Sequence, residues 1–315
     1  MKNVLLVTGG AGFIGSEFVR QESRNDFWER IYVIDALTYA SDVKRIKNEI
    51  DSGRVDFINS KVEQSENYKS IFSEVSHVTH LAAETHVDRS IQDGYPFLRS
   101  NIEGTFTILE ATRKIPQIRT LVVSTDEVYG SISTGEATEE SKINSASVYS
   151  ASKASADLLA IANYLTHQQD IVITRCCNNY GPHQTAEKLI PLAITRLLAG
   201  LKVPIYGTGE NIREWIYVSD HTRAIKKVLV QGKSGEIYNI GSGIRKSNIE
   251  IIEVIQKMLG LDNTSIEYVS DRKGHDFRYA LASQKISSEL NWTPEIELDE
   301  GLEITIDFYR NMGGV

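Results

Sequence analysis

The stretch Thr8-Gly9-Gly10-Ala11-Gly12-Phe13-Ile14-Gly15 constrains this chain more than any other. It follows a β-branched apolar run, Asn3–Thr8, and opens an amphipathic one, so it predicts a strand turning tightly into a helix. Glycines there permit the turn, let a phosphate approach the backbone and leave room for the helix against the sheet. Amide groups at the helix start, with the positive end of the dipole, would hold a diphosphate. Asp35 closes the next predicted strand about 20 residues later, the spacing of an acid that hydrogen-bonds a ribose 2′-hydroxyl. A 2′-phosphate beside it would be repelled, which favours NAD. Gly9, Gly12, Phe13, Ile14, Gly15 and Asp35 are thus expected to bind NAD. A turn that merely needs glycine, plus a capping aspartate, is the plainer alternative. The agreement of strand, turn, helix and acid weighs against it.

The same alternation continues to about residue 180. Ile31–Ile34, Val55–Ile58, Val78–Leu81, Thr120–Ser124 and Ile171–Arg175 read as strands. Gly12–Ser23, Ser41–Ile50, Tyr95–Lys114 and Tyr149–Thr166 read as the intervening helices. Such a pattern predicts an α/β fold: a Rossmann-type, doubly wound parallel sheet with its ligand crevice at the carboxyl ends of the strands. Leu81, which ends the fourth strand, and Ala82 and Ala83, just past it, are expected to line that crevice. Beyond 180 the pattern loosens into helices at Leu189–Leu201, Ser219–Gln231, Asn248–Leu259 and Leu298–Tyr309, with short strands at Ile205–Tyr206 and Ile237–Ile240. This predicts an NAD-binding domain over 1–180 and a smaller C-terminal α/β substrate lobe over 181–315, with later crossings allowed.

With 315 residues, 41% of them hydrophobic, the chain can bury a large core, and a disordered or fibrous reading is excluded. No run approaches the ~20 apolar residues of a membrane span, and the first segment carries no basic start or cleavage site. A cytoplasmic location is expected. The formal charge of −8 is spread over mixed-sign segments, which argues against a nucleic-acid partner. Cys176 and Cys177 are the only cysteines, adjacent and too few for a secreted scaffold. The seven histidines form no HExxH and have no CxxC beside them, so no metal is expected.

Tyr149-Ser150-Ala151-Ser152-Lys153 sets a phenol and an ammonium on one helix face. An isolated tyrosine ionises near pH ~10, and an adjacent cation would make it a usable base nearer neutrality. Alone, this spacing is usually a solvated helix face. Here a glycine-rich cofactor loop precedes it, and Ser124-Thr125 ends the strand before it.

These segments resemble the extended short-chain dehydrogenase/reductase family and, within it, the nucleotide-sugar 4,6-dehydratases. The resemblance runs nearly end to end through Thr8–Ser16, Leu81–Ile91, Ser124–Gly130, Tyr149–Ala156, Arg175–Pro182, Glu187–Pro191 and Gly274–Ala280. Thr125-Asp126-Glu127 is the discriminating element, because similar epimerases and decarboxylases carry small hydroxyl or alanine residues in place of the two acids. The resemblance implies that Tyr149, assisted by Lys153 and Thr125, takes the 4-hydroxyl proton as hydride passes to NAD. Glu127 would then remove the acidified C5 proton while Asp126 protonates the departing C6 hydroxyl. Neighbouring carboxyls doing this need opposite protonation states. A turn and helix cap is the bland alternative for these three residues.

At the substrate end the resemblance implies contacts from His86, Asn179, Glu187, Lys188, Arg213, Arg272 and His275 to a dTDP- or UDP-hexose, dTDP-glucose first. A guanidinium fork at Arg213 suits a diphosphate. Several positions depart from relatives that act on dTDP-glucose: Ile244 in Gly241-Ser242-Gly243-Ile244-Arg245-Lys246, the pair Thr185-Ala186, Phe277, and Lys61 where an aspartate often reads the adenine. They question which nucleotide and sugar are used more than which reaction. The competing expectations are a UDP-sugar dehydratase or a 4-epimerase of the same fold and, in another class, a non-catalytic NAD-sensing module. The Tyr95–Lys114 and Tyr149–Thr166 helices carry apolar residues on more than one face, and relatives pair them into a four-helix homodimer interface.

Overall fold

The computed structural model describes residues 3–261 and 265–312. Seven parallel strands form the central sheet, in spatial order Ile237–Ile240, Ile171–Cys176, Arg119–Thr125, His77–His80, Val4–Thr8, Arg30–Asp35, Val55–Asn59. Every residue of Val4–Thr8 is buried, as a strand covered on both faces requires. From that strand the chain winds outward in one direction through Arg30–Asp35 and Val55–Asn59. It then returns and winds the other way from His77–His80. The reversal leaves a crevice between the carboxyl ends of Val4–Thr8 and His77–His80, where Gly9 and Leu81 begin the two loops.

One face of the sheet packs Leu5, Val7 and Val33 against Phe18 and Val19 of the helix Phe13–Ser23. Ala224, Ile225, Val228 and Leu229 of the helix Val218–Gln231 join the same cluster. The opposite face packs Leu6, Ile34 and Val78 against Tyr68, Phe72 and Ile108. Fully burying one such aliphatic side chain is worth about 1.5–3 kcal/mol.

The chain therefore crosses back after residue 180. The Val218–Gln231 helix and the Ile237–Ile240 strand, read from sequence as parts of the smaller lobe, complete the central sheet and its cover. The reason is amphipathicity: the apolar stripe of that helix is spent on the sheet. The remaining lobe has its own core, in which Ile190, Ile194 and Leu197 meet Trp215, Ile251, Ile255, Leu302 and Ile306. Ile212–Tyr217 is the middle strand of a small sheet between Arg245–Ser247 and Asn178–Tyr180, and Ile266–Val269 pairs with Val203–Tyr206.

Two helices differ from expectation. Ser41–Ile50 is a 3-10 turn, Val43–Ile46, followed by the short helix Lys47–Asp51. Asp42 accepts from Lys44 N at 2.9 Å while its own amide is held by Ala11 O at 3.0 Å, which tightens that start. The Tyr95–Lys114 helix widens into a π-helical stretch at Leu98–Glu103 before resuming at Gly104–Arg113.

Candidate active site

A cavity of about 550 Å³ opens at the strand ends, within the range of roughly 300–1,000 Å³ typical of small-molecule sites. Gly9, Gly12, Phe13, Ile14 and Gly15 line it at one side, with Asp35, Leu81, Ala82 and Ala83. The turn admits only glycine at its tightest points. A Cβ on Gly15 would lie 2.1 Å from Gly9 O, and Gly9, at φ +71°, would press one 2.7 Å from Ala82 N. No side chain caps the helix start at Gly12, so its amides stay available to an anion. Asp35 accepts from Ala11 N at 3.0 Å and Leu37 N at 2.9 Å, fixing its carboxylate beside the loop. An uncapped helix start and a rigidly held acid, both facing one cavity, fit the diphosphate and ribose of NAD.

Thr125, Asp126, Glu127, Tyr149 and Lys153 line the same cavity. Thr125 ends its strand and caps the 3-10 turn Asp126–Tyr129, accepting from Glu127 N at 3.3 Å. The capping reading of this tripeptide is thus realised by the Thr125 hydroxyl, while both acids line the cavity. The helix Val148–His167 begins with a reciprocal cap between Ser147 and Ser150, which brings Tyr149 and Lys153 onto the cavity face from its first turns.

The two neighbouring carboxyls stand in different environments. Burial pushes Asp126 well above the usual carboxylate range, and the negative charges of Glu127 and Glu214 add to this. Its Oδ2 is buried without a hydrogen-bond partner among the described residues. Burial raises Glu127 too, but Lys188, Arg213 and Arg272 all favour its ionised form. The two settings thus favour the neutral form more strongly at Asp126 than at Glu127.

The tyrosine differs from expectation. Burial and the charge of Glu127 push its phenol above the ordinary range, against a hydrogen bond with Thr125. Lys153 instead donates to Val123 O at 2.6 Å, and burial lowers its ammonium to about 8. In the protein alone the lysine braces the strand beneath the site and does not offset the burial of the phenol.

Of the expected substrate contacts, Asn179 and Lys188 reach the cavity. Lys188 donates to Thr85 O at 3.1 Å. His86, Glu187, Arg213, Arg272 and His275 stand outside its lining, tied to protein partners. Glu187 lies 3.8 Å from His86 Nε2 and 3.4 Å from Arg89. Arg213 donates to the carbonyls of Ile212 and Asp276 at 2.8 and 2.9 Å, with its guanidinium 4.4 Å from the Tyr279 ring centre. Arg272 Nε is 2.6 Å from Asp88 Oδ1, and His275 Nδ1 is 2.7 Å from Asp271. Arg213 and Arg272 still act on Glu127 through their charge.

Sequence reasoning missed three contributors. Asn101, aimed by the π-helical stretch, clasps both backbone groups of Glu84 at 2.8 and 3.0 Å and donates to Ser152 at 2.8 Å. It thereby ties the loop after His77–His80 to the helix Val148–His167. No periodicity announces a π stretch. Cys176 and His221 also line the cavity, joined through Asn179. His221 carries no sequence signal, lying in the first turn of the helix Val218–Gln231.

A family model described as GDP-mannose 4,6 dehydratase matches residues 6–305. The chain belongs to that family. Among curated proteins it is 43% identical over 311 residues to a dTDP-glucose 4,6-dehydratase of Actinoplanes sp., covering 97% of each chain. Among solved structures, DesIV of Streptomyces venezuelae, a dTDP-glucose 4,6-dehydratase with NAD and TYD bound, superposes with a TM-score of 0.95. It is 44% identical, and the match covers 98% of this chain and 97% of that one. The UDP-glucose 4-epimerase of Thermotoga maritima, with UDP-glucose, shares the architecture at a TM-score of 0.91 and 28% identity, covering 98% of this chain and 99% of that one.

Proposed function

We propose that this protein is an NAD-dependent hydro-lyase that converts dTDP-glucose to its 4-keto-6-deoxy derivative. The observation that carries the reading is the opposed setting of Asp126 and Glu127 beside Tyr149. When bound, NAD would supply the hydride acceptor for sugar C4 and the hydride donor for C6. The uncapped turn at Gly9–Gly15 holds the diphosphate of the cofactor and Asp35 its ribose. Thr125 positions the 4-oxygen, and Tyr149 takes the 4-hydroxyl proton. Lys153, at the same helix face, holds positive charge near the phenol once a ligand draws it from Val123. Glu127, whose ionised form Lys188, Arg213 and Arg272 favour against its burial, removes the C5 proton and returns one to C5 when C6 is reduced. Asp126, kept protonated by burial, gives its proton to the C6 hydroxyl, which leaves as water. Asn179 and Lys188 contact the nucleotide sugar. His86, Glu187, Arg213, Arg272 and His275 surround its outer end after releasing their present partners.

The test is incubation with dTDP-glucose and, separately, UDP-glucose, followed by mass spectrometry of the product. Loss of one water from the dTDP sugar is expected. A mass-neutral product means 4-epimerisation, and no product from either sugar sinks the enzyme reading. Glu127→Gln should retain NAD yet lose C5 hydrogen exchange, with turnover down by roughly 10²–10⁴.

The same reading includes a homodimer in the cytoplasm. Tyr95, Leu98 and Phe106 on one helix and Leu158 and Leu165 on the other are exposed apolar side chains, suited to pairing with a second copy. Sedimentation at micromolar protein should give twice the monomer mass. Among the described residues no helix is long and apolar enough to cross a membrane.

A further inference from the structure

Cys176 and Cys177 stand together at the end of the strand Ile171–Cys176, and both line the cavity. Each is only 4% exposed, and they form no disulfide. After burial, the largest influence on the ionisation of each thiol is the other thiol. Asn179 Nδ2 lies 3.3 Å from Cys176 Sγ, and Asn179 Oδ1 lies 2.9 Å from His221 Nδ1. The other ring nitrogen of His221 is buried, with no hydrogen-bond partner among the described residues. Burial opposes ionisation of Cys176, but Cys177, with His221 and Asn179, brings its thiol down to about 6. Burial and the adjacent sulfur push Cys177 the opposite way. The acid–base assignment above uses neither thiol.

We propose that Cys176 and Cys177 form a vicinal dithiol site that captures soft, thiophilic trivalent electrophiles from the cavity, organoarsenicals above all. A thiolate is the attacking species, and soft sulfur ligands select soft electrophilic centres. A disulfide between the pair is a poor alternative product. Consecutive Cα atoms across a trans peptide are about 3.8 Å apart, below the usual disulfide span of roughly 4.4–6.8 Å. A bridging atom relieves that constraint. With phenylarsine oxide the balance is simple: the arsenic–oxygen bond breaks and two arsenic–sulfur bonds form. The oxygen leaves as water with both thiol hydrogens, and nothing is oxidised or reduced. Cys176 attacks first, and Cys177 closes the ring as its proton goes to the departing oxygen.

The site also lies beside the catalytic groups. Cys176 is the sheet partner of Thr125, and its charge bears on both Asp126 and Tyr149. Capture should therefore block turnover one-for-one.

The test treats the whole protein with phenylarsine oxide and reads its intact mass. The chain has no other cysteine, so one phenylarsenic group with two hydrogens lost assigns the site directly. Excess 2-mercaptoethanol should leave the adduct in place, while 2,3-dimercaptopropanol removes it. Cys177→Ser should lose the resistance to monothiol, with an unchanged circular dichroism spectrum. Absence of an adduct, or release of the wild-type adduct by monothiol, overturns the proposal. The wild-type arms decide it even if the variant fails to fold. Because the readout is mass, it stands apart from the identity of the sugar.

Discussion

Asp157 and Arg175 meet at 2.9 Å with side chains 0% and 2% exposed, one from the helix Val148–His167 and the other from the strand Ile171–Cys176. Arg175 also donates to Tyr129 Oη at 2.9 Å, and that hydroxyl donates to Asn239 at 2.8 Å. This buried network holds the turn that carries Asp126 and Glu127 against helix and sheet together. Asp157→Ala leaves the guanidinium buried and unpaired, so a loss of about 3–5 kcal/mol is expected in urea unfolding. Wild-type stability in that variant would deny the network its bracing part.

The two raised carboxyls predict a bell-shaped pH profile of kcat. Activity rises as Glu127 loses its proton and falls as Asp126 loses its own, and both limbs lie above the ordinary carboxylate range. Asp126→Asn should slow turnover and remove the alkaline limb assigned to this acid, while the acidic limb stays. If the wild-type alkaline limb survives that substitution, the acid is another group.

Lys153 supplies a second titration in the protein without ligand. Its ammonium is lost as pH rises through about 8, because burial favours the neutral amine. NAD affinity measured by titration should decline across that range, and Lys153→Met should abolish the decline while weakening binding at pH 7. A pH-independent affinity in the wild type would separate Lys153 from the cofactor.

His80 predicts acid sensitivity. It is fully buried between Thr8 Oγ1 at 2.7 Å and Thr105 Oγ1 at 3.0 Å, and burial lowers it to about 3. The unfolded chain binds the proton near pH 6.5 and the folded one does not, so its share of stability is complete above that value. It falls away as pH drops from 6.5 towards 3, by a few kcal/mol, since each tenfold difference in proton affinity is worth about 1.4 kcal/mol. His80→Gln should flatten the stability curve over that window in denaturant melts.

Gly15→Ala addresses the cofactor turn directly. A methyl group 2.1 Å from Gly9 O cannot be accommodated without moving backbone, so NAD binding measured by calorimetry should be lost. Retention of wild-type affinity would mean that the turn yields.

Much of this was legible in the chain itself. The sheet strands and the helices Phe13–Ser23 and Val148–His167 announce themselves because a doubly covered parallel strand is uniformly apolar and a surface helix keeps its 3.6 period. The cofactor turn, the acid pair and the Tyr149–Lys153 face are local in sequence and could be read locally. Ile212–Tyr217 could not, since Arg213 and Glu214 interrupt its apolar pattern although both are buried. Glu214 is matched by Arg245 at 3.0 Å, Leu281 N at 3.0 Å and Gly243 N at 2.9 Å, partners that only the tertiary fold brings together. The same holds for His221 and Asn101, and for Arg272, whose carboxylate partner Asp88 lies far away along the chain.

The late strand Ile237–Ile240 has a practical corollary for dissecting this protein. It hydrogen-bonds along Ile171–Cys176 in parallel register, from Ile237 opposite Ile173 to Ile240 opposite Cys176. A fragment ending at residue 180 would uncover that ladder and invite aggregation through the bared edge. Exchanging sugar preference between relatives therefore calls for grafting loops onto an uncut chain, not splicing halves.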